Sequence, residues 1–161
     1  MIKKLVLILL ILSLALSLAA CGGRASTGTS YGVKTLQTLV EQEYSLAFRN
    51  GDSTYDYVKA ALETMAAEGT IDALTAKWFG DRIVNFDKNP DALATKGMPE
   101  PRVFIIGVDI NSFPMAYIAN GDYWGYDVEL ATAMCERLGW TLKIQQIEKE
   151  DVYVELSSGN I

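Results

Sequence analysis

Apolar residues recur along this chain in several patterns, and each pattern predicts a different kind of element. From Leu5 to Leu18 the apolar run is almost unbroken. Further on, Tyr55, Val58, Leu62 and Met65 return every three or four positions, the spacing of one helix face, with Ser53 placed to cap the start and Gly69 to stop it. A second helix is expected from Ile71 to Phe79, between a Thr70 cap and Gly80. Val103 to Val108 is apolar on both faces, as in a strand of a buried parallel sheet. Met115 to Ile118 and Tyr123 to Tyr126 flank Asn120-Gly121, the dipeptide best suited to a tight hairpin turn with positive φ. The helical period returns at Val128, Ala131, Met134 or Cys135, and Leu138, after an Asp127 cap and before Gly139. A strand from Thr141 to Ile147 and a helix from Glu150 to Ser157 follow, and Asn160-Ile161 reads as the first step into a third strand. Ahead of all these, a short helix is expected at Thr35 to Glu41 and a strand at Tyr44 to Phe48, before the turn Asn50-Gly51-Asp52.

The leading apolar run is shorter than the roughly 20 residues a spanning helix needs, follows Lys3 and Lys4, and ends in small residues. That is the pattern of a cleaved export signal, residues 1–20. Leu18-Ala19-Ala20-Cys21, followed by two glycines, resembles the bacterial lipobox, in which the cysteine is acylated and becomes the new first residue. The other reading is an ordinary signal cut near Ala20 that leaves Cys21 as a free thiol, a liability in an exported protein. Residues 21–33 are rich in Gly, Ser and Thr and read as a flexible tether; 85–102, with three of the four prolines, reads as a linker.

Removing residues 1–20 takes away two lysines and no acid, leaving 12 basic against 20 acidic residues and a net charge of −8. So acidic a surface excludes nucleic acid as a partner and leaves the acyl group as the membrane attachment. The chain has no histidine, the commonest general base and metal ligand, and no phosphate loop, zinc spacing or nucleophile elbow; neither a cofactor nor a metal is expected. Cys135 reads as a small core residue.

Two segments resemble the family 3 extracellular solute-binding proteins, receptors for polar amino acids. Ile106-Gly107-Val108-Asp109, Phe113-Pro114-Met115, Gly125-Tyr126-Asp127-Val128-Glu129-Leu130-Ala131, Arg137-Leu138-Gly139-Trp140 and Glu155 to Ile161 look like the family's first part. Tyr44 to Asp52, Glu68-Gly69-Thr70 and Lys77-Trp78-Phe79-Gly80 look like its last part, which closes the same lobe. The resemblance implies an α/β, periplasmic-binding-protein-like (type II) lobe: a mainly parallel sheet flanked by helices, incomplete. The closing part (34–84) precedes the opening part (103–161), so one lobe is circularly permuted, with 85–102 joining the old ends; a junction of tandem receptors and a truncation before the second lobe are the alternatives.

By that resemblance the protein is a substrate-binding lipoprotein, exported and lipid-anchored to the outer face of the bacterial cytoplasmic membrane, with a polar amino acid as ligand and an ABC permease as partner. It implies no catalytic residue. Ligand contacts fall to Asp109, Ser112, Phe113 and Met115. Asp109 sits just past a strand's carboxyl end, where ligands collect in open α/β sheets; it serves equally well as a turn cap. Phe113 is one place later than the family's aromatic, and Lys149 stands where many relatives carry a cleft aromatic. The family's carboxylate-gripping arginine comes after the third strand, so binding by this chain alone is expected to be weak. An enzyme on the same fold and a non-binding interaction lobe are the competing functions. Glu148, Glu150 and Asp151 could be imagined as a catalytic group but read as a solvated helix start.

Overall fold

The computed structural model describes residues 44–80 and 85–161. Residues 45–161 belong to one compact unit. The signal, Cys21, the tether and the helix at Thr35 to Glu41 lie outside the described residues.

Two helices come first, α1 (Thr54–Ala67) and α2 (Thr70–Phe79), then a short helix α3 (Ala92–Lys96). Strand β1 (Val103–Val108), the hairpin β2 (Tyr117–Ala119) and β3 (Asp122–Trp124), helix α4 (Tyr126–Leu138) and strand β4 (Thr141–Gln146) follow. A 3₁₀ turn, Lys149–Asp151, leads into α5 (Val152–Ser158). β1 and β4 pair in parallel, Val103 opposite Thr141 through Val108 opposite Gln146, as a β–helix–β crossover requires. The fold is therefore α/β, a two-stranded parallel sheet flanked by helices, in keeping with a partial periplasmic-binding-protein-like lobe.

One face of the sheet carries the core. Phe104 and Leu142 pack against a cluster that includes Val58, Leu62 and Met65 of α1, Ile71 of α2, and Leu130, Met134, Cys135 and Leu138 of α4. The expected inward positions of α4, Val128, Ala131, Met134, Cys135 and Leu138, are all buried. Burial pushes the Cys135 thiol up to about 11, so it stays a neutral core group. Gly139 closes α4 in the left-handed region at φ 68°.

Several local expectations are corrected. Tyr44 to Phe48 forms no strand: Tyr44 and Leu46 are exposed, and Phe48 alone turns inward, edge-on to Tyr55 at 5.5 Å. A strand exists only through its ladder, and this extended segment shares none. Tyr55 is 49% exposed and so lies off the buried face of α1. The start of α1 is held by Asp52 rather than Ser53: the Asp52 carboxylate accepts from the Thr54 hydroxyl (2.6 Å) and backbone N–H (2.9 Å). Those bonds, the hydroxyl's first, hold the Asp52 carboxyl below its usual range. Thr70 opens α2 without a side-chain cap, behind Gly69 at φ 83°.

The stretch 85–102 is more than a spacer. Ala92 and Leu93 of α3 are buried against α1, where the Thr64 hydroxyl accepts from the Leu93 N–H (3.2 Å) and donates to the Asn89 carbonyl (3.4 Å). β1 is less covered than its composition suggests, with Val103 at 55% exposed and only Val108 buried. At its other end the Ile161 side chain lies across Gly107: a Cβ there would come within 2.8 Å of Ile161 Cδ1 and 2.6 Å of Ile147 Cδ1.

Candidate functional site

The site is built where β1 ends. Asp109 follows Val108, and its carboxylate folds back on the next turn, accepting from the Asn111 N–H (2.9 Å) and the Ser112 hydroxyl (3.2 Å). The turn-capping arrangement is thus the one adopted, with Asp109 and Ser112 brought together at the carboxyl edge of the sheet. Each carboxylate oxygen has a second lone pair left for an outside donor.

The loop after Asp109 is clamped to the start of α4. The first N–H groups of any helix lack intrahelical partners, and here those of Tyr126 and Asp127 are taken by the carbonyls of Pro114 (3.0 Å) and Met115 (2.9 Å). The carbonyls of this loop do the work expected of an Asp127 cap, and the Asp127 side chain makes no cap bond. Its partial burial pushes the carboxyl up to about 6. Gly125 makes the clamp possible: at φ 131° it passes so close to Met115 that a Cβ would lie 2.2 Å from the Met115 carbonyl oxygen.

That clamp settles where the other two expected ligand residues point. Met115 is 8% exposed with its side chain in the main cluster, since the backbone that serves α4 also turns this side chain inward. Phe113 is 74% exposed and leans on Tyr117 (5.2 Å, 58°), which in turn meets the Trp78 ring of α2 edge-on at 6.2 Å. The hairpin carrying Tyr117 turns at Asn120 (φ 54°) and Gly121 (φ 88°), with Tyr117 opposite Trp124. Trp78 is fixed by its indole N–H donating to Glu129 (3.1 Å), which also pairs with Lys77 (2.6 Å). Desolvation alone would raise the Glu129 carboxyl, but the Lys77 and Trp78 bonds hold it below its usual range.

The aromatic ladder Phe113–Tyr117–Trp78 was not legible as a unit. Tyr117 of the hairpin and Trp78 at the end of α2 are 39 positions apart, too far for a local pattern to join them. Lys149, Glu148, Glu150 and Asp151 are exposed, as a solvated helix start requires. Among the described residues no cation pairs with Asp109, no group of acidic or cysteine side chains could hold a metal, and no helix is long and apolar enough to cross a membrane.

Residues 104–161, β1 through the last residue, match the family of bacterial extracellular solute-binding proteins, family 3. The match spans 58 of the 161 residues and supports a solute-binding role. No curated protein and no solved structure matches the chain.

Proposed function

We propose that this chain is a fragment of a substrate-binding lipoprotein for polar amino acids, carrying lobe one in permuted order, which presents its ligand to an ABC permease. The observation that carries the reading is Asp109: a carboxylate at the carboxyl end of a parallel strand, inside the stretch that matches the solute-binding family. Its free lone pairs suit an ammonium or guanidinium, Ser112 adds a hydroxyl oxygen, and the exposed Phe113 ring gives an apolar wall. The permuted order has support in the packing of α1 and α2, from the segment before residue 85, on α4. Cys21 is the proposed point of acylation, placing the lobe on the outer face of the cytoplasmic membrane.

A site with one carboxylate and, among the described residues, no facing cation grips one end of an amino acid, so affinity is expected in the millimolar range. Calorimetry against polar amino acids should show weak binding to the parent chain and none to Asp109→Asn. A response unchanged in Asp109→Asn, or a micromolar dissociation constant, overturns this site. For the anchor, Cys21→Ala should release the protein or leave it unprocessed; a fully membrane-bound variant sinks the lipoprotein reading.

A further inference from the structure

A second cleft lies at the other end of β1, separated from Asp109 by the length of the strand, about 20 Å. It is an open cleft of about 430 Å³. The linker forms one side with Glu100 and Arg102; Ser53 and Tyr57 from the start of α1 and Trp140 from the end of α4 form the other. It is therefore made where the docked linker meets the helices, using none of the residues around Asp109.

Two features make this cleft more than a surface dent. The first is a fixed aromatic floor beneath the cation. Trp140 is 6% exposed, its indole N–H donates to the Glu100 carbonyl (3.2 Å), and its ring is braced by Phe104 (5.1 Å) and the edge of Tyr57 (6.4 Å). The second is a cation with no carboxylate. Six of the cations among the described residues, Arg49, Lys59, Lys77, Lys88, Lys96 and Arg137, sit in ion pairs. Arg102 does not: its guanidinium rests over the Trp140 ring at 5.8 Å, in a chain with an excess of acids. Lys143 and Lys149 are also unpaired, but they lie on the open surface and line no cleft described here.

A guanidinium is permanently charged, and its planar fork matches a carboxylate, while stacking on an indole fixes the plane of that fork. We propose that this cleft is a second binding site, for a small planar carboxylate, with Arg102, held in plane by the Trp140 ring beneath it, taking the carboxylate, and the exposed Val103 side chain and the half-buried Tyr57 ring taking the flat apolar part. The Ser53 hydroxyl at the rim can donate a further bond. Glu100 lines the same cleft with an exposed side chain, and its charge opposes an anion, which gives the proposal a sign that can be checked.

The test is a ¹H–¹⁵N titration of the full chain with benzoate, alongside benzyl alcohol and benzylamine as neutral and cationic analogues. The Trp140 indole resonance is identified through Trp140→Phe. Benzoate should move it to saturation, benzyl alcohol only weakly and benzylamine not at all. Arg102→Gln should weaken benzoate by about tenfold to a hundredfold, the worth of a charged hydrogen-bond pair, and Glu100→Gln should strengthen it a few-fold. The Trp140 N–H bonds a backbone carbonyl, so its resonance in ligand-free Arg102→Gln reports whether the cleft is intact; Arg102→Lys, keeping charge without the fork, should fall between. Equal response to benzoate and benzyl alcohol, no loss in Arg102→Gln, or movement of the Trp78 and Trp124 indoles in place of Trp140 overturns the site. The last outcome would move the binding to the Asp109 end and leave the receptor reading standing.

Discussion

On the helical side of the lobe, sixteen buried apolar residues from α1 to α4 and their connections form one cluster; at the carboxyl end of the sheet only Val108, Ala116 and Val128 do so. Both regions are rich in aromatic and aliphatic side chains. They differ in what those side chains face. Around Leu138 and Met65, each about 1% exposed, helices cover one face of the sheet and the inward apolar side chains pack on one another. Around Asp109 the chain is held by hydrogen bonds to a turn and a helix start, and Phe113 projects into solvent. The first region can hold its shape through packing alone. The second keeps polar atoms and one ring exposed, as the proposed binding role requires, and gives up burial to do so.

The contrast can be broken at its strong end. Leu138→Ala should lower stability by about 2–5 kcal/mol, since a buried leucine in a multi-helix cluster leaves a cavity that its neighbours only partly fill. Denaturant unfolding followed by circular dichroism checks this, and a loss no larger than that of a surface variant would show that the cluster is loosely packed.

Asp127 sits between the two regions and sharpens the comparison through pH. Its folded-state carboxyl is raised by burial to about 6 from 3.8. Below the lower value both states are protonated and the group is neutral to stability. Between the two the unfolded chain is ionised while the folded one keeps its proton, so stability falls as pH rises, and above about 6 the full cost of about 2–3 kcal/mol is present. The first-turn position at the α4 N-terminus offsets part of that cost. Asp127→Asn should therefore stabilise the fold by about 2 kcal/mol at neutral pH and remove the decline between pH 4 and 6. Urea midpoints across that range decide it; a variant less stable than the parent at pH 7 contradicts the assignment.

Thr64→Val probes the linker's dock. Replacing the hydroxyl leaves the buried Leu93 N–H without an acceptor, at about 1–2 kcal/mol, and should expose Lys88 and Lys96 to trypsin sooner. Unchanged cleavage kinetics would mean that Ala92 and Leu93 hold α3 by packing alone. The smallest effect belongs to the site: Phe113→Ala should change stability by less than about 0.5 kcal/mol, because most of its ring is already in water. A large loss of stability there would make Phe113 a structural residue and weaken its role as a ligand wall.

What the sequence determined by itself is the placing of elements that rests on spacing along the chain and on turn chemistry. Periodicity placed α1 and α4 and the buried face of α4, because a helix brings residues three and four apart onto one side whatever lies around it, and the Gly80 stop bounded α2. Asn120-Gly121 fixed the hairpin turn because few residues accept positive φ, and Val103 to Val108 marked a strand by its apolar run. What only the tertiary structure decided depends on partners distant in the chain. Tyr44 to Phe48 has strand character and no ladder. The clamp on α4 turns the Met115 side chain into the core. The role expected of Asp127 went to two carbonyls ten or more residues away, the linker gained a helix because Thr64 was there to bond it, and Trp78 reached Tyr117 across 39 positions. Local pattern states which surfaces a segment offers. Which surface is covered, and which polar group is satisfied by which partner, is fixed only when the segments meet, since burial and hydrogen bonding are properties of the pair.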